Sequence, residues 1–253
     1  MYEAIAEGGI TRFAAIFQSQ DPGPVGPVRS VRPQDPDIAG PLHGLAAFSG
    51  GLSAFVQPLN EVAQNLSSDV IGERPPYVRI PERHAPHNLY LDVAGLWPKA
   101  DADHKDPPPP LFSYGSLASS ATPAKSVTVR MSAVVLVTWT WDGTAWRRSQ
   151  DGHPFTVTGS GQIGPQNLLV QSVAISTTQF VDPSGTPVPS TQLIGTGPAL
   201  LFRGGKELTG TWSKSDRTTP TTFTAADGTT MTLQPGQTWV ELAPNGAAIS
   251  VSR

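Results

Sequence analysis

Arg29 and Arg32, with Ser30 between them, are the side chains whose types and spacing point first to chemistry. Each guanidinium is a permanent cation with a planar fork of N–H donors, the geometry a carboxylate or phosphate accepts. The loop that bears them contains Pro22, Pro24, Pro27, Pro33 and Pro36. Each ring fixes φ, and each proline turns the residue before it away from helix. A segment so restricted has little conformational entropy to lose, so it presents its cations at small cost. Ser30 and neighbouring backbone N–H groups would complete the hydrogen bonds of an anion held there. Arg12, in the apolar stretch leading into the loop, is a third cation. The competing account pairs each arginine with a nearby acid: Glu7, Asp35 or Asp37.

His87 and Asn88 follow Pro86. They can line the same cleft, with His87 as a general acid/base or an anion donor. Alternatively the histidine is satisfied by backbone and Asn88 caps a short helix over 88–97. The candidate ligand-binding set is therefore Arg12, Arg29, Ser30, Arg32, His87 and Asn88. A hydrolase reading takes Glu7 and His87 as the catalytic acid/base pair, with Arg29 or Arg32 stabilising an oxyanion.

Other patterns carry less. His84 and His87, with Glu82 nearby, have metal-like spacing, but Pro86 interrupts any regular helix through them and no third ligand follows. Asp101, Asp103, His104 and Asp106 lack the glycine and terminal glutamate of a calcium loop. Gly159-Ser160-Gly161-Gln162-Ile163-Gly164 matches a dinucleotide fingerprint in letters only, since Pro165 and a strand-like run follow where a helix is required. No G-x-S-x-G, S-x-x-K or Walker pattern is present. No metal and no cofactor is expected.

The elements that must position these residues divide the chain in two. In residues 1–112 short apolar strands alternate with helical spacing, an α/β arrangement with a small mixed sheet. A strand over 10–17, apolar on both sides, is expected to be covered on both faces, after Gly8-Gly9, which permit positive φ or close approach. Short helices are expected near 37–45 and 52–66, the second interrupted by Pro58, and strands at 46–49 and 77–80. Residues 98–110, charged, small and closed by four prolines, read as a solvated linker. Residues 113–253 are rich in β-branched and aromatic side chains, with turns at Asp142-Gly143, Asp151-Gly152, Gly204-Gly205, Asp227-Gly228 and Asn245-Gly246. This part is expected to be a mostly antiparallel sheet or open barrel of some seven to nine strands. The fold class is α+β, an N-terminal α/β unit followed by a β-rich one. Trp139, Trp141, Trp146, Trp212 and Trp239 all fall in the β part. They are either core or a face that stacks a partner, which gives a third reading, a structural or partner-binding protein.

Composition sets the outer limits. The 253 residues are 38% hydrophobic and only 15% charged, with Gly 25 and Pro 26, which suits many turns and β structure. A net charge of −3 argues against a nucleic-acid partner. Absence of cysteine removes disulfides, thiolate metal sites and a lipid-bearing cysteine within this chain. No stretch has the apolar length of a membrane span, and no export signal is visible.

The stretches EGGITRF at 7–13, GPVRSVR at 26–32, APHNLY at 85–90, GTGPALLFRGGKELTGTWSK at 195–214 and LQPGQTWVEL at 233–242 resemble the YerB-like family of bacterial lipoproteins. The resemblance covers both halves. It implies an N-terminal α/β and a C-terminal β unit, in a cell-envelope, extracytoplasmic protein anchored to the membrane by a lipid. It brings no activity to carry over. Family members have an export signal, a lipid-bearing cysteine and further segments ahead of the EGG stretch. This chain lacks them, and so reads as a fragment or as a misplaced start. The expected partner is an anionic envelope component or a small anionic ligand.

Overall fold

The computed structural model describes residues 1–253, which form two compact units. The first comprises Met1–Ala15, Phe112–Ser215 and Thr221–Arg253; the second comprises Ile16–Leu111 and Asp216–Pro220. One change of unit falls between residues 111 and 112, and the strands of the first fifteen residues pair within the β-rich unit.

The first unit is built on an eight-stranded sheet. Its path runs Thr11–Ala14, Tyr2–Ile5, Thr238–Pro244, Asn167–Val173, Gly195–Arg203, Lys206–Lys214, Thr222–Ala225, and Thr122–Pro123 also pairs with Lys206–Lys214. Tyr2–Ile5 and Asn167–Val173 both run parallel to Thr238–Pro244, so the sheet is mixed, and its other pairings are antiparallel as expected. Asn167–Val173 is buried almost throughout, the pattern of a central strand covered on both faces. A second, five-stranded sheet has the order His153–Pro154, Trp146–Gln150, Leu136–Trp141, Ser126–Arg130, Ile249–Ser252. Val127, Val129, Val137, Trp139 and Trp146 from this sheet pack against Leu168, Val170, Phe202 and Trp239 from the larger one. The core therefore lies between two sheets, with more strands than the single sheet or barrel expected from the turns.

Several turns form where their glycines stand. Gly204 and Gly205, both at positive φ, join Gly195–Arg203 to Lys206–Lys214. Asp142 Oδ1 accepts from the backbone N–H groups of Thr144 and Ala145, which closes the turn between Leu136–Trp141 and Trp146–Gln150. Asn245-Gly246 behaves differently. The strand after it, Ile249–Ser252, pairs with Ser126–Arg130, so this turn carries the chain from one sheet to the other and makes no hairpin. The Gly159–Gly164 stretch is a turn leading into the short strand Gly161–Gln162, not a nucleotide loop.

The expected strand over 10–17 is shorter, Thr11–Ala14, and it is a sheet edge. Ile10, Phe13 and Phe17 are exposed, so it is not covered on both faces. Its apolar residues misled because sequence alone does not say on which side of a strand the sheet stops.

In the second unit, Pro24–Val25, Leu89–Asp92 and Tyr77–Arg79 form an antiparallel sheet, and Leu45–Ala46 pairs in parallel with Gln64–Asn65. The helices are short: Asp35–Ala39, Ser53–Asn60 with Pro58 inside it, and Ser68–Ile71. Leu66, Tyr77, Leu89, Leu91 and Leu96 make its core, and the Tyr77 hydroxyl donates to the Leu66 carbonyl at 2.7 Å. Residues 88–97 are not one helix. Leu89 and Leu91 alternate into the core as a strand, and a 3-10 turn, Ala94–Lys99, follows. The expected linker also has structure. Asp101 caps the turn Ala102–His104, and Gln64 brackets the chain there by accepting from Asp101 N–H and donating to the Lys99 carbonyl.

Candidate functional site

The arginine loop is held by backbone as well as by its prolines. Val28 N–H donates to the Leu89 carbonyl at 2.8 Å, Ser49 N–H to the Arg29 carbonyl at 3.0 Å, and Val31 N–H to the Gly50 carbonyl at 3.1 Å. The loop is thus tied to the strand Leu89–Asp92 and to residues 49–50, with Arg29 and Ser30 between the tie points.

Arg29 Nη1 lies 2.8 Å from His87 Nδ1 at an exposed position. A guanidinium has donors only, so Nδ1 is the accepting atom of this contact. His87 is itself fixed by its N–H, which donates to the His84 carbonyl at 2.9 Å. The neighbouring Asn88 accepts from Arg79 Nη1 at 2.7 Å through Oδ1, and its amide donates to the Ile80 carbonyl at 3.4 Å. It orients Arg79 and caps no helix. Arg79 makes a two-pronged pair with Glu73. The guanidinium holds the Glu73 carboxyl below its usual range through that hydrogen bond first.

The remaining candidates are placed differently. Arg32 Nη1 donates to the Ser30 and Val31 carbonyls at 3.2 and 2.9 Å, and the Arg32 backbone N–H donates to Asp35 Oδ2 at 2.7 Å. Its side chain folds back on its own loop. Arg12 and Glu7 belong to the first unit, where they pair at 3.4 Å. Glu7 sits in the turn Glu7–Gly9, where Gly8 and Gly9 take the positive φ expected of them. Gly9 is also approached closely, since Ser132 Oγ donates to its carbonyl at 2.6 Å. Arg29, Ser30, Arg32, His87 and Asn88 belong to the second unit.

The five tryptophans of the β part do not form an exposed aromatic face. Trp139, Trp146, Trp212 and Trp239 are buried, and Trp141 packs against Trp146. The sequence reading missed what surrounds two of them. Glu3, Arg148 and Glu241 are fully buried in the first unit. Arg148 donates to Glu3 through Nη2 at 2.6 Å and Nε at 3.2 Å. Trp239 Nε1 donates to Glu3 at 3.1 Å, and Trp139 Nε1 to Glu241 at 3.0 Å. The available signal was a glutamate inside an apolar run, Trp239-Val240-Glu241-Leu242, which has no place in a core without a partner.

Comparison with known proteins places the chain. Residues 1–106 match the family model described as "Protein of unknown function (DUF3048) N-terminal domain", and residues 127–240 match "Protein of unknown function (DUF3048) C-terminal domain". The chain belongs to the DUF3048 family. It is similar to "Putative lipoprotein YerB" of Bacillus subtilis (strain 168), at 28% identity over 99% of this chain and 76% of that one. The crystal structure of YerB protein from Bacillus subtilis matches with a TM-score of 0.79 at 25% identity, covering 98% of this chain and 85% of that chain. The DUF3048 N-terminal model includes the strands Tyr2–Ile5 and Thr11–Ala14, which pair in the sheet of the first unit. In this chain the family boundary and the packing boundary therefore differ.

Proposed function

We propose that this DUF3048 chain is an extracytoplasmic, envelope-associated protein that binds an anionic group on its second unit, with Arg29 and His87 as the principal donors. One observation carries the reading: the 2.8 Å contact between Arg29 Nη1 and His87 Nδ1 at an exposed position. The contact sets a permanent cation beside an imidazole on a stiff loop, and a guanidinium offers only N–H donors. Such donors suit a carboxylate or phosphate oxygen. The loop's backbone ties reduce the ordering cost of holding them out. Arg32 supports the site by bracing the Ser30 and Val31 carbonyls, and Asn88 by bracing Arg79. The envelope location is drawn from the relative's description as a lipoprotein. Its tether would be a lipid on a cysteine outside this sequence.

The test is calorimetric titration with inorganic phosphate and with acetate at low and high salt. Arg29→Ala is expected to weaken binding about tenfold, the loss of one charge-assisted hydrogen bond, and added salt is expected to weaken the wild type. The Arg29→Ala/Arg32→Ala double variant is expected to lose binding. Unchanged affinity in the double variant for every anion that binds refutes the proposal.

A further inference from the structure

Glu3 and Glu241 stand side by side on parallel strands, in direct register. Both are fully buried, as is Arg148, whose guanidinium bonds Glu3 and also donates to Gln150 Oε1 at 3.1 Å. Two carboxylates and one guanidinium leave a net negative charge in a fully buried core, an arrangement that desolvation opposes strongly. The hydrogen bonds are unevenly shared. Glu3 receives three donors, two from Arg148 and one from Trp239, while Glu241 receives the Trp139 indole on Oε2. Glu241 Oε1 is buried and no donor reaches it.

A proton on that oxygen resolves both problems. The resulting hydroxyl donates to Glu3, and the cluster becomes neutral. We propose that Glu3 and Glu241 hold one proton between them in the folded protein, and that this proton latches the strand Tyr2–Ile5 into the large sheet. Burial first, then the Glu3 charge, raises the Glu241 carboxyl well above its ordinary range, in the same sense. Arg148, Trp139 and Trp239 face the pair directly, and Gln150, Phe13 and Phe155 stand around Arg148. Arg148 is the one charged group of that set. The Met1 amino group, at the start of the same strand, donates to the Thr238 carbonyl.

The sign follows from linkage. A carboxyl raised in the folded state binds a proton that unfolding releases. Its stabilisation is complete below the unfolded value, about 4, and falls as pH rises through the raised folded value. Between those limits the unfolding constant gains a factor of about ten per pH unit from this one group.

The experiment is urea unfolding of the wild type, Glu241→Gln and Glu3→Gln over a pH series from about 4 upward, read as the difference in slope between the proteins, because the Met1 amino group, lowered to about 6 by burial, titrates in all three. Glutamine at 241 keeps an N–H donor for Glu3 and an acceptor for Trp139. Glu241→Gln is therefore expected to stay within about tenfold of wild type at neutral pH and to lose one proton's worth of slope. Glu3→Gln removes the partner of Arg148 and is expected to unfold at least a hundredfold more readily than Glu241→Gln. An unchanged slope in Glu241→Gln overturns the proposal, as does equal destabilisation by the two substitutions. If Glu3→Gln fails to fold, the slope comparison between wild type and Glu241→Gln decides alone.

Discussion

Replacing Arg148 by leucine removes the only cation from a site that holds two acids. Arg148 is fully buried, makes two hydrogen bonds to Glu3, and lies 4.0 Å over the Phe155 ring. Removing one member of a buried ion pair costs about 3–5 kcal/mol, because the partner is left uncompensated. For a unit of this size each kcal/mol lowers Tm by roughly 2–4 °C, so Arg148→Leu is expected to lower it by about 6–20 °C. Trp139 and Trp239 pack edge-to-face at 5.2 Å beside the cluster, so near-ultraviolet circular dichroism reads the transition at the site itself. The triple variant Glu3→Gln/Glu241→Gln/Arg148→Met is expected to recover most of the loss, since a neutral cluster of similar volume has no charge to strand. A single-variant drop of under about 2 °C, at most about 1 kcal/mol, refutes the argument. So does a triple variant no more stable than Arg148→Leu.

Tyr77→Phe deletes the 2.7 Å hydrogen bond to the buried Leu66 carbonyl, and is expected to cost about 1–2 kcal/mol in chemical denaturation with no change in the slope against denaturant. Gly205→Ala places a Cβ 2.8 Å from Trp141 Nε1 at a positive φ, whereas Gly204→Ala meets open space, so thermal melts are expected to show the larger loss at 205. Asp142 is held far below the usual carboxyl range, first by the Ala145 N–H and then by Arg147. Its contribution is present above the unfolded value, about 4, and fades as pH falls. Asp142→Asn is therefore expected to flatten the acid side of a stability–pH curve. Arg217 bridges Asp37 and Glu61 at the surface of the second unit, and Arg217→Ala is expected to cost under about 1 kcal/mol, less in high salt.

Local chemistry was legible where one residue decides it. The diglycine at 8–9 takes positive φ, and the hairpin at Gly204-Gly205 forms because glycine alone enters that region cheaply. Pairing partners were not legible. Nothing in TRFA says that it ends a sheet, and nothing after Asn245-Gly246 says that Ile249–Ser252 crosses to the other one. The second outcome is set by Ser126–Arg130, more than a hundred positions away. In the site, the sequence brought Arg29 and His87 into one candidate set, and they are in contact. It joined Arg12 to that set as well, and Glu7 to His87 in the hydrolase reading. Arg12 and Glu7 are a pair of their own in the first unit, because membership of a unit follows strand pairing rather than distance along the chain. The buried glutamates went unread because a glutamate's partner in a core is found in space, through Arg148 on the other sheet.

The parallel pairing of Tyr2 with Val240 fixes an order of events during synthesis. Glu3 and Trp239, bonded to each other, are 236 positions apart. At about 5–20 residues per second, a ribosome needs roughly 10–50 s to make that span. For all of that time Tyr2–Ile5 has Thr11–Ala14 on one side and no neighbour on the other, and carries an unmatched acid toward an unbuilt core. The larger sheet therefore cannot close around that strand until Thr238–Pro244 has been made, and a chaperone that shelters the strand would act in that interval.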